Sequence, residues 1–126
     1  MYVLAANDSL KDFGVERGRL AAVPRASARR TFRNPGATPA ISSNGTRDAV
    51  VWLIETKVWN DRGNRPSVLH AYDATNVARE LYNSEQNAAR DRAGNTVRFV
   101  VPTVANGRVY VGVRGAVDVY GLLTRP

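Results

Sequence analysis

Hydrophobic and polar residues alternate along most of the chain, and many of the hydrophobic ones are β-branched. This pattern predicts strands almost throughout, and no segment predicts a long helix. Single helical turns are predicted within Ala74–Leu81 and Ala88–Ala93. The predicted strands are Tyr2–Ala5, Leu10–Val15, Ala37–Ser42, Ala49–Thr56, Val68–Ala74, Glu80–Asn83, Arg98–Ala105, Arg108–Val113 and Ala116–Leu122, with Arg19–Val23 as a further candidate.

The strand pattern repeats, and a repeat of this kind indicates the architecture. The middle copy contains Thr38–Ile41, Asn44-Gly45, Val50–Trp52 and Leu69–Asp73. The last copy contains Val101–Val104, Asn106-Gly107, Val109–Gly112 and Val117–Gly121. The first copy holds only a second half, Tyr2–Ala5 and Leu10–Gly14. Both Asn-Gly pairs predict hairpin turns, because these residues tolerate positive φ.

A unit of about four short strands, repeated about every 60 residues, is typical of β-propeller blades. Residues 1–36 then form the second half of a blade plus a loop, and residues 37–97 a complete blade with an inserted loop. Residues 98–126 form a closing blade that lacks its outer strand. We therefore expect an all-β, antiparallel, partial propeller of about two and a half blades, whereas closure needs at least four.

Three polar stretches interrupt the repeat and are predicted to be loops. They are Pro24–Gly36, Lys57–Ser67 and Ser84–Val97. The second of these is an insertion into one repeat unit, a common location for function. It is also a common location for neutral variation.

The chain is basic, with 18 Lys and Arg residues against 11 Asp and Glu residues among 126. The densest basic stretch holds Arg25, Arg29, Arg30 and Arg33. We interpret it as a solvated loop, and polyanion binding by the Arg25–Arg33 loop is the alternative. Specific nucleic-acid binding is not expected, because Phe32 is the only aromatic residue in the stretch.

Further classes are not supported by the sequence. There is no cysteine, hence no disulfide frame and no thiolate metal site. No apolar run approaches the roughly 20 residues of a membrane span, and no signal peptide is recognised in this chain.

Four segments resemble the carboxy-terminal blades of bacterial proteins with a pyrroloquinoline quinone (PQQ)-like β-propeller, of the quinoprotein alcohol dehydrogenase-like type. They are Tyr2–Phe13, Leu69–Ala74, Glu80–Ser84 and Val101–Val111. The ending Val119–Leu123 is similar to the closing strand of that family. The resemblance covers nearly the whole chain and implies an exported protein, secreted or periplasmic.

The resemblance does not extend to the cofactor-type repeat of the family, which reads Ala-x-Asp-x-x-Thr-Gly-x-x-x-Trp. Ala71 and Asp73 fit this pattern, but Asn76, Val77 and Leu81 replace its Thr, Gly and Trp. We therefore expect no cofactor and assign no catalytic, cofactor-binding or metal-binding residue. The alternative is part of a PQQ-dependent dehydrogenase, with quinone and calcium bound, whose active site needs further blades.

Several polar residues are weighed as sites and assigned ordinary structural roles. His70 is the only histidine, so no two-histidine metal site is possible, and it is interpreted as a strand histidine. The segment 60–64 faintly resembles a calcium turn but lacks the closing Glu, which favours a plain turn. Asp12, Asp73 and Asp118 occupy similar repeat positions, where they either line a channel or accept hydrogen bonds from backbone N–H groups.

Aromatic residues are the remaining candidates. Tyr2, Trp52 and Tyr110 recur at one repeat position, which favours packing between blades over stacking on a sugar or quinone. Trp59 lies in the inserted loop and is the better candidate for an exposed contact. We expect a structural or binding module whose partners are the remaining blades of a propeller and a protein or glycan ligand.

Overall fold

Antiparallel strands make up most of the computed structural model, which describes residues 1–56 and 65–123. Those residues form twelve strands and one short helix. The strands are β1 (Tyr2–Val3), β2 (Asp8–Asp12), β3 (Val15–Glu16), β4 (Arg19–Leu20), β5 (Ala26–Phe32), β6 (Ala40–Asn44), β7 (Arg47–Glu55), β8 (Val68–Asp73), β9 (Glu80–Asn83), β10 (Thr103–Ala105), β11 (Arg108–Val113) and β12 (Ala116–Gly121), and the helix is α1 (Ala88–Asp91).

The strands form three sheets and one small hairpin within the described residues. The first sheet has the order β1-β2-β5, the central sheet β6-β7-β8-β9 and the third sheet β10-β11-β12. Strands β3 and β4 pair only with each other. Every strand pairing is antiparallel, which confirms the predicted all-β, antiparallel class.

Strand order in the central and third sheets follows chain order, as the repeat predicts. The turn between β10 and β11 is the two-residue loop Asn106-Gly107, with φ of 50° and 70°. Positive φ at both positions matches the twist of a tight hairpin, which explains the Asn-Gly pair. In the central sheet, Gly45 has a φ of 60° at the turn between β6 and β7.

The central sheet is covered on both faces, because residues along β7 alternate between two hydrophobic clusters. Val51 and Leu53 belong to a cluster shared with Leu10 and Phe32 of the first sheet. Ile54 belongs to a second cluster, which it shares with Val109 and Val111 of the third sheet, and Trp52 packs against it. The three sheets therefore pack face to face, with the central one in the middle.

The prediction that the recurring aromatic residues pack between sheets is confirmed for Tyr2 and Trp52. Tyr2 of the first sheet packs on the cluster shared with the central sheet, and its hydroxyl donates to the Ala74 carbonyl at 2.6 Å. Trp52 of the central sheet packs on the cluster shared with the third sheet. Tyr110 is half-buried, and its share in such packing stays a prediction.

The stretch Pro24–Gly36 is not the loop that its composition predicts. Residues Ala26–Phe32 form β5 and pair with β2. Ala28 and Phe32 bury their side chains in the core, which stabilises the strand despite the charged residues between them. The prediction of a loop is therefore wrong for Ala26–Phe32, although the arginines of the segment are exposed to solvent as expected.

Other predicted elements differ in length. The predicted strand Arg98–Ala105 is reduced to β10, because Phe99 has a φ of 58° and Pro102 has no N–H to donate. The predicted turn at Ala88–Ala93 contains α1, whereas Ala74–Leu81 forms no helix. Among residues 1–56 and 65–123, no helix has the length and apolar character needed to cross a membrane.

Candidate functional site

A histidine flanked by two glutamates lies between the first and central sheets. Nδ1 of His70 is 2.6 Å from Oε1 of Glu80, and its Nε2 is 3.0 Å from Oε2 of Glu55. The His70 side chain is fully buried, with 0% exposure. Alternation along β7 and β8 turns Glu55 and His70 toward the first sheet, the same side as Leu53 and Tyr72.

The two contacts require that two protons be shared within this triad of Glu55, His70 and Glu80. A carboxylate accepts hydrogen bonds and a neutral imidazole has a single N–H. The triad therefore holds either an imidazolium between two carboxylates or a neutral imidazole with one protonated glutamate. In both cases its net charge is −1, which Arg30 balances at 3.5 Å from Glu55.

Aromatic rings enclose the triad. The ring of Phe32 meets His70 edge-on at a centroid distance of 5.2 Å, and the ring of Tyr72 stacks near it at 6.2 Å. These contacts shield the imidazole from solvent. His70 is a strand histidine, as predicted, and of the two expected settings, packed or on the surface, it has the packed one. Its carboxylate partners were not predicted.

A bulge in β5 brings two consecutive arginines to this site. Ser9 pairs with Thr31 and Lys11 pairs with Ser27, so residues 28–30 lie opposite the single residue Leu10. In a regular strand, successive side chains point to opposite faces of the sheet. The bulge removes this constraint, so that Arg30 reaches Glu55 while Arg29 also lines the gap between the sheets.

An open cleft of about 760 Å³ lies beside the triad, between β5 and the β8–β9 connection. Its volume is within the range of small-molecule sites. β9 and β6 are opposite edges of the central sheet, so the cleft is remote from β6. The cleft is lined by Arg29, Arg30, Tyr72, Asn76, Ala78, Arg79 and Glu80.

The Tyr72 hydroxyl is the unusual group of the cleft. The residue is 2% exposed, and the hydroxyl makes no well-formed hydrogen bond even though it lies beside Glu80. Burial, and then the charge of Glu80, raise the pKa of Tyr72. Tyr72 thus keeps its proton at neutral pH and remains available as a donor.

The connection between β8 and β9 is held by its own side chains. Oδ1 of Asp73 accepts from the Thr75 N–H at 2.8 Å and from its hydroxyl at 2.6 Å, and these bonds lower the pKa of Asp73. Oδ1 of Asn76 accepts from the Ala78 N–H at 3.1 Å. The Asn76 amide N–H groups are therefore directed away from that bond, and Arg79 lies 3.5 Å from Asp73.

The three repeated aspartates have different partners. Asp73 binds the N–H of Thr75, and Asp118 accepts from the Gly94 N–H at 2.6 Å. The predicted role of accepting from backbone N–H groups is confirmed for these two. Asp12 instead binds Arg25 at 3.0 Å. The strand register places Asp12 opposite Tyr2, Asp73 opposite Val50 and Asp118 opposite Val111, so the three are not equivalent positions.

Helix α1 lies beside the third sheet, where the Asp91 carbonyl accepts from the Tyr120 hydroxyl at 3.0 Å. Burial raises the pKa of Tyr82, and a hydrogen bond to Asp91 raises it further. Helix α1 therefore contacts both the central and the third sheet.

The remaining candidates from the sequence are placed as follows. Trp52 donates its indole N–H to the Ser42 hydroxyl at 2.8 Å, and its ring packs against the hydrophobic cluster shared with the third sheet. Trp59 and the calcium-like turn at 60–64 lie outside the described residues. Within residues 1–56 and 65–123, no three His, Asp or Glu side chains are arranged to hold a metal ion.

Comparison of the chain with protein-family models, with curated proteins and with solved structures gave no match.

Proposed function

We propose that this chain is part of an exported PQQ-like β-propeller and serves as a binding module for glycans. The four-stranded order of the central sheet and the face-to-face packing of three sheets support the propeller. Strands β6 and β10, each the first strand of its sheet, lie close together, as inner strands of neighbouring blades do. Tyr2 and Trp52 each pack toward the next sheet in chain order, which supports the same arrangement.

Further sheets complete the propeller in this proposal. Three sheets are described, whereas a closed propeller needs at least four. The outer face of the third sheet exposes Val117 at 61% and Val119 at 52%. Apolar strand residues that are exposed side by side are typical of a face that packs against another sheet.

The cleft between the first and central sheets is the feature that supports glycan binding. It is open and of ligand size, and guanidinium, amide and phenol groups from both sheets line it. These are hydrogen-bond donors, which suit the many oxygen atoms of a sugar. His70 is fully buried with both ring nitrogens engaged, which favours a supporting role over direct contact with a substrate.

The proposal is tested by screening the purified chain against an immobilised panel of neutral and acidic oligosaccharides. Saturable retention of at least one glycan is expected, with an affinity confirmed by calorimetry. The same preparation is titrated with PQQ and calcium while the quinone absorbance is recorded. A quinone spectral change without glycan retention overturns the proposal in favour of a quinone-dependent dehydrogenase, and the absence of both also overturns it.

A further inference from the structure

We propose that the cleft binds a carboxylate-bearing sugar unit, with Arg29 holding the carboxylate and Tyr72 donating to an oxygen at the floor. This inference rests on the proposed function and specifies its ligand class. It depends on two groups of the cleft, Arg29, which has no carboxylate partner among the described residues, and the buried Tyr72 hydroxyl, which has no well-formed hydrogen bond there.

Arg29 differs from the other two arginines of the cleft. Arg30 lies 3.5 Å from Glu55, and Arg79 lies 3.5 Å from Asp73. Among the described residues, Arg29 makes no ion pair, although its side chain is exposed at the cleft. A guanidinium in this situation is suited to a planar, bidentate carboxylate.

The charges around the cleft favour an anion. The triad of Glu55, His70 and Glu80 carries one negative charge, which Arg30 offsets, and Asp73 offsets Arg79. The charge of Arg29 remains in excess. Glu80 lines the cleft, but its Oε1 is engaged by His70 at 2.6 Å, which limits its repulsion of a bound anion.

Tyr72 supplies the independent observation. A buried hydroxyl without a hydrogen bond is uncommon in proteins, since each such group costs stability. Tyr72 is 2% exposed, lines the cleft and has such a hydroxyl. A ligand oxygen at the floor of the cleft would accept a hydrogen bond from this hydroxyl, so that binding satisfies a donor that makes no well-formed hydrogen bond in the free protein.

A sugar acid fits the cleft better than a bare inorganic anion. The volume of about 760 Å³ far exceeds that of sulfate or phosphate. The amide N–H groups of Asn76 and the guanidinium of Arg79 add donors for hydroxyl oxygens around the carboxylate. A uronate unit carries a carboxylate and several hydroxyl groups on one sugar ring.

The test uses isothermal titration of the full chain with digalacturonate, with the neutral disaccharide digalactose and with sodium sulfate. Digalacturonate is expected to bind, and R29Q is expected to weaken it about 10-fold or more, as for loss of a charge-assisted hydrogen bond. R33Q is the matched control, because Arg33 is exposed on the same segment but does not line the cleft. Y72F is expected to weaken binding without lowering the melting temperature.

Three outcomes overturn the inference. They are binding of digalactose or sulfate as tight as that of digalacturonate, a loss of affinity in R33Q as large as in R29Q, and full affinity in Y72F. A glycan bound elsewhere and insensitive to R29Q leaves the proposed function standing while this inference fails. If the chain binds no glycan at all, both fail. Thermal melts of R29Q and R33Q show whether each variant is folded.

Discussion

His70 and Glu80 form a partly buried hydrogen bond of 2.6 Å across two neighbouring strands of the central sheet. The register of β8 and β9 shifts by one residue at this point, between Ala71 and Tyr72. This shift turns Glu80 to the same face as His70. The bond therefore depends on an irregularity of the sheet as well as on the two residue types.

Replacement of Glu80 by glutamine should destabilise the protein. E80Q removes the carboxylate that faces the buried imidazole, and loss of a hydrogen bond to a charged group costs about 1–3 kcal/mol. E85Q is the control, because Glu85 is 3.8 Å from Arg92 in a solvent-exposed pair and should change stability by less than about 0.5 kcal/mol. Urea denaturation measures both, and equal midpoints for the two variants contradict the prediction.

Two tyrosines should respond in opposite ways to loss of their hydroxyls. Y72F removes a buried donor that lacks a hydrogen bond, and is expected to leave stability unchanged or to raise it by about 1 kcal/mol. Y120F removes a donor to the Asp91 carbonyl at 3.0 Å, and is expected to lower stability by about 1 kcal/mol. Chemical denaturation at pH 7 compares them, and a larger loss for Y72F would show that its hydroxyl has a stabilising partner.

Stability should fall as the pH rises from 10 to 12. Burial, and then the charge of Asp118, raise the pKa of Tyr120 from 10.0 to about 12. In this window the unfolded tyrosine has lost its proton while the folded one retains it, so deprotonation favours unfolding. Below pH 10 the contribution is fully present. Urea midpoints measured from pH 9 to 12 should decline, and Y120F should make the decline shallower; identical slopes would oppose this assignment.

Gly94 should not tolerate a methyl group while Val113 is present. A Cβ at Gly94 would lie 2.8 Å from Cγ2 of Val113, which is itself buried. G94A is expected to cost about 1–3 kcal/mol, as overpacking does. The double variant G94A/V113A should be more stable than the sum of the single changes predicts, since the smaller side chain makes room. Additive losses in a double-mutant cycle would refute the steric explanation.

The exposed face of the third sheet should promote association. Val117 and Val119 lie on this face and are more than half exposed. We expect light scattering to detect oligomers that increase with protein concentration, and the variant V117T/V119T to reduce them while retaining strand propensity. V3T provides a control on the first sheet, whose Val3 is 36% exposed. A strictly monomeric wild-type chain would contradict this expectation.

Strands with a continuous apolar pattern could be predicted from the sequence. β7, β8 and β11 lie within their predicted ranges or close to them, because both faces of the first two and one face of the third are buried. β5 was missed because Arg29 and Arg30 interrupt its alternation, and a bulge cannot be recognised from composition.

The site could be predicted only in part. His70 in an apolar strand was a recognisable signal, since a polar side chain in such a strand needs a partner. Its partners Glu55 and Glu80 are 15 and 10 residues away in the chain, and only the register of three strands brings them together. Arg30 is added by the packing of a different sheet, which no local pattern encodes.

The bulge in β5 makes the cationic wall of the cleft depend on chain length rather than on residue type. Deleting two residues of 28–30 would restore a one-to-one match with Leu10 and return any remaining arginine to strict alternation. The same arginine content would then no longer converge on one gap. Insertions and deletions in this strand are therefore a route by which such a site is acquired or lost, without any substitution among the residues of the central sheet.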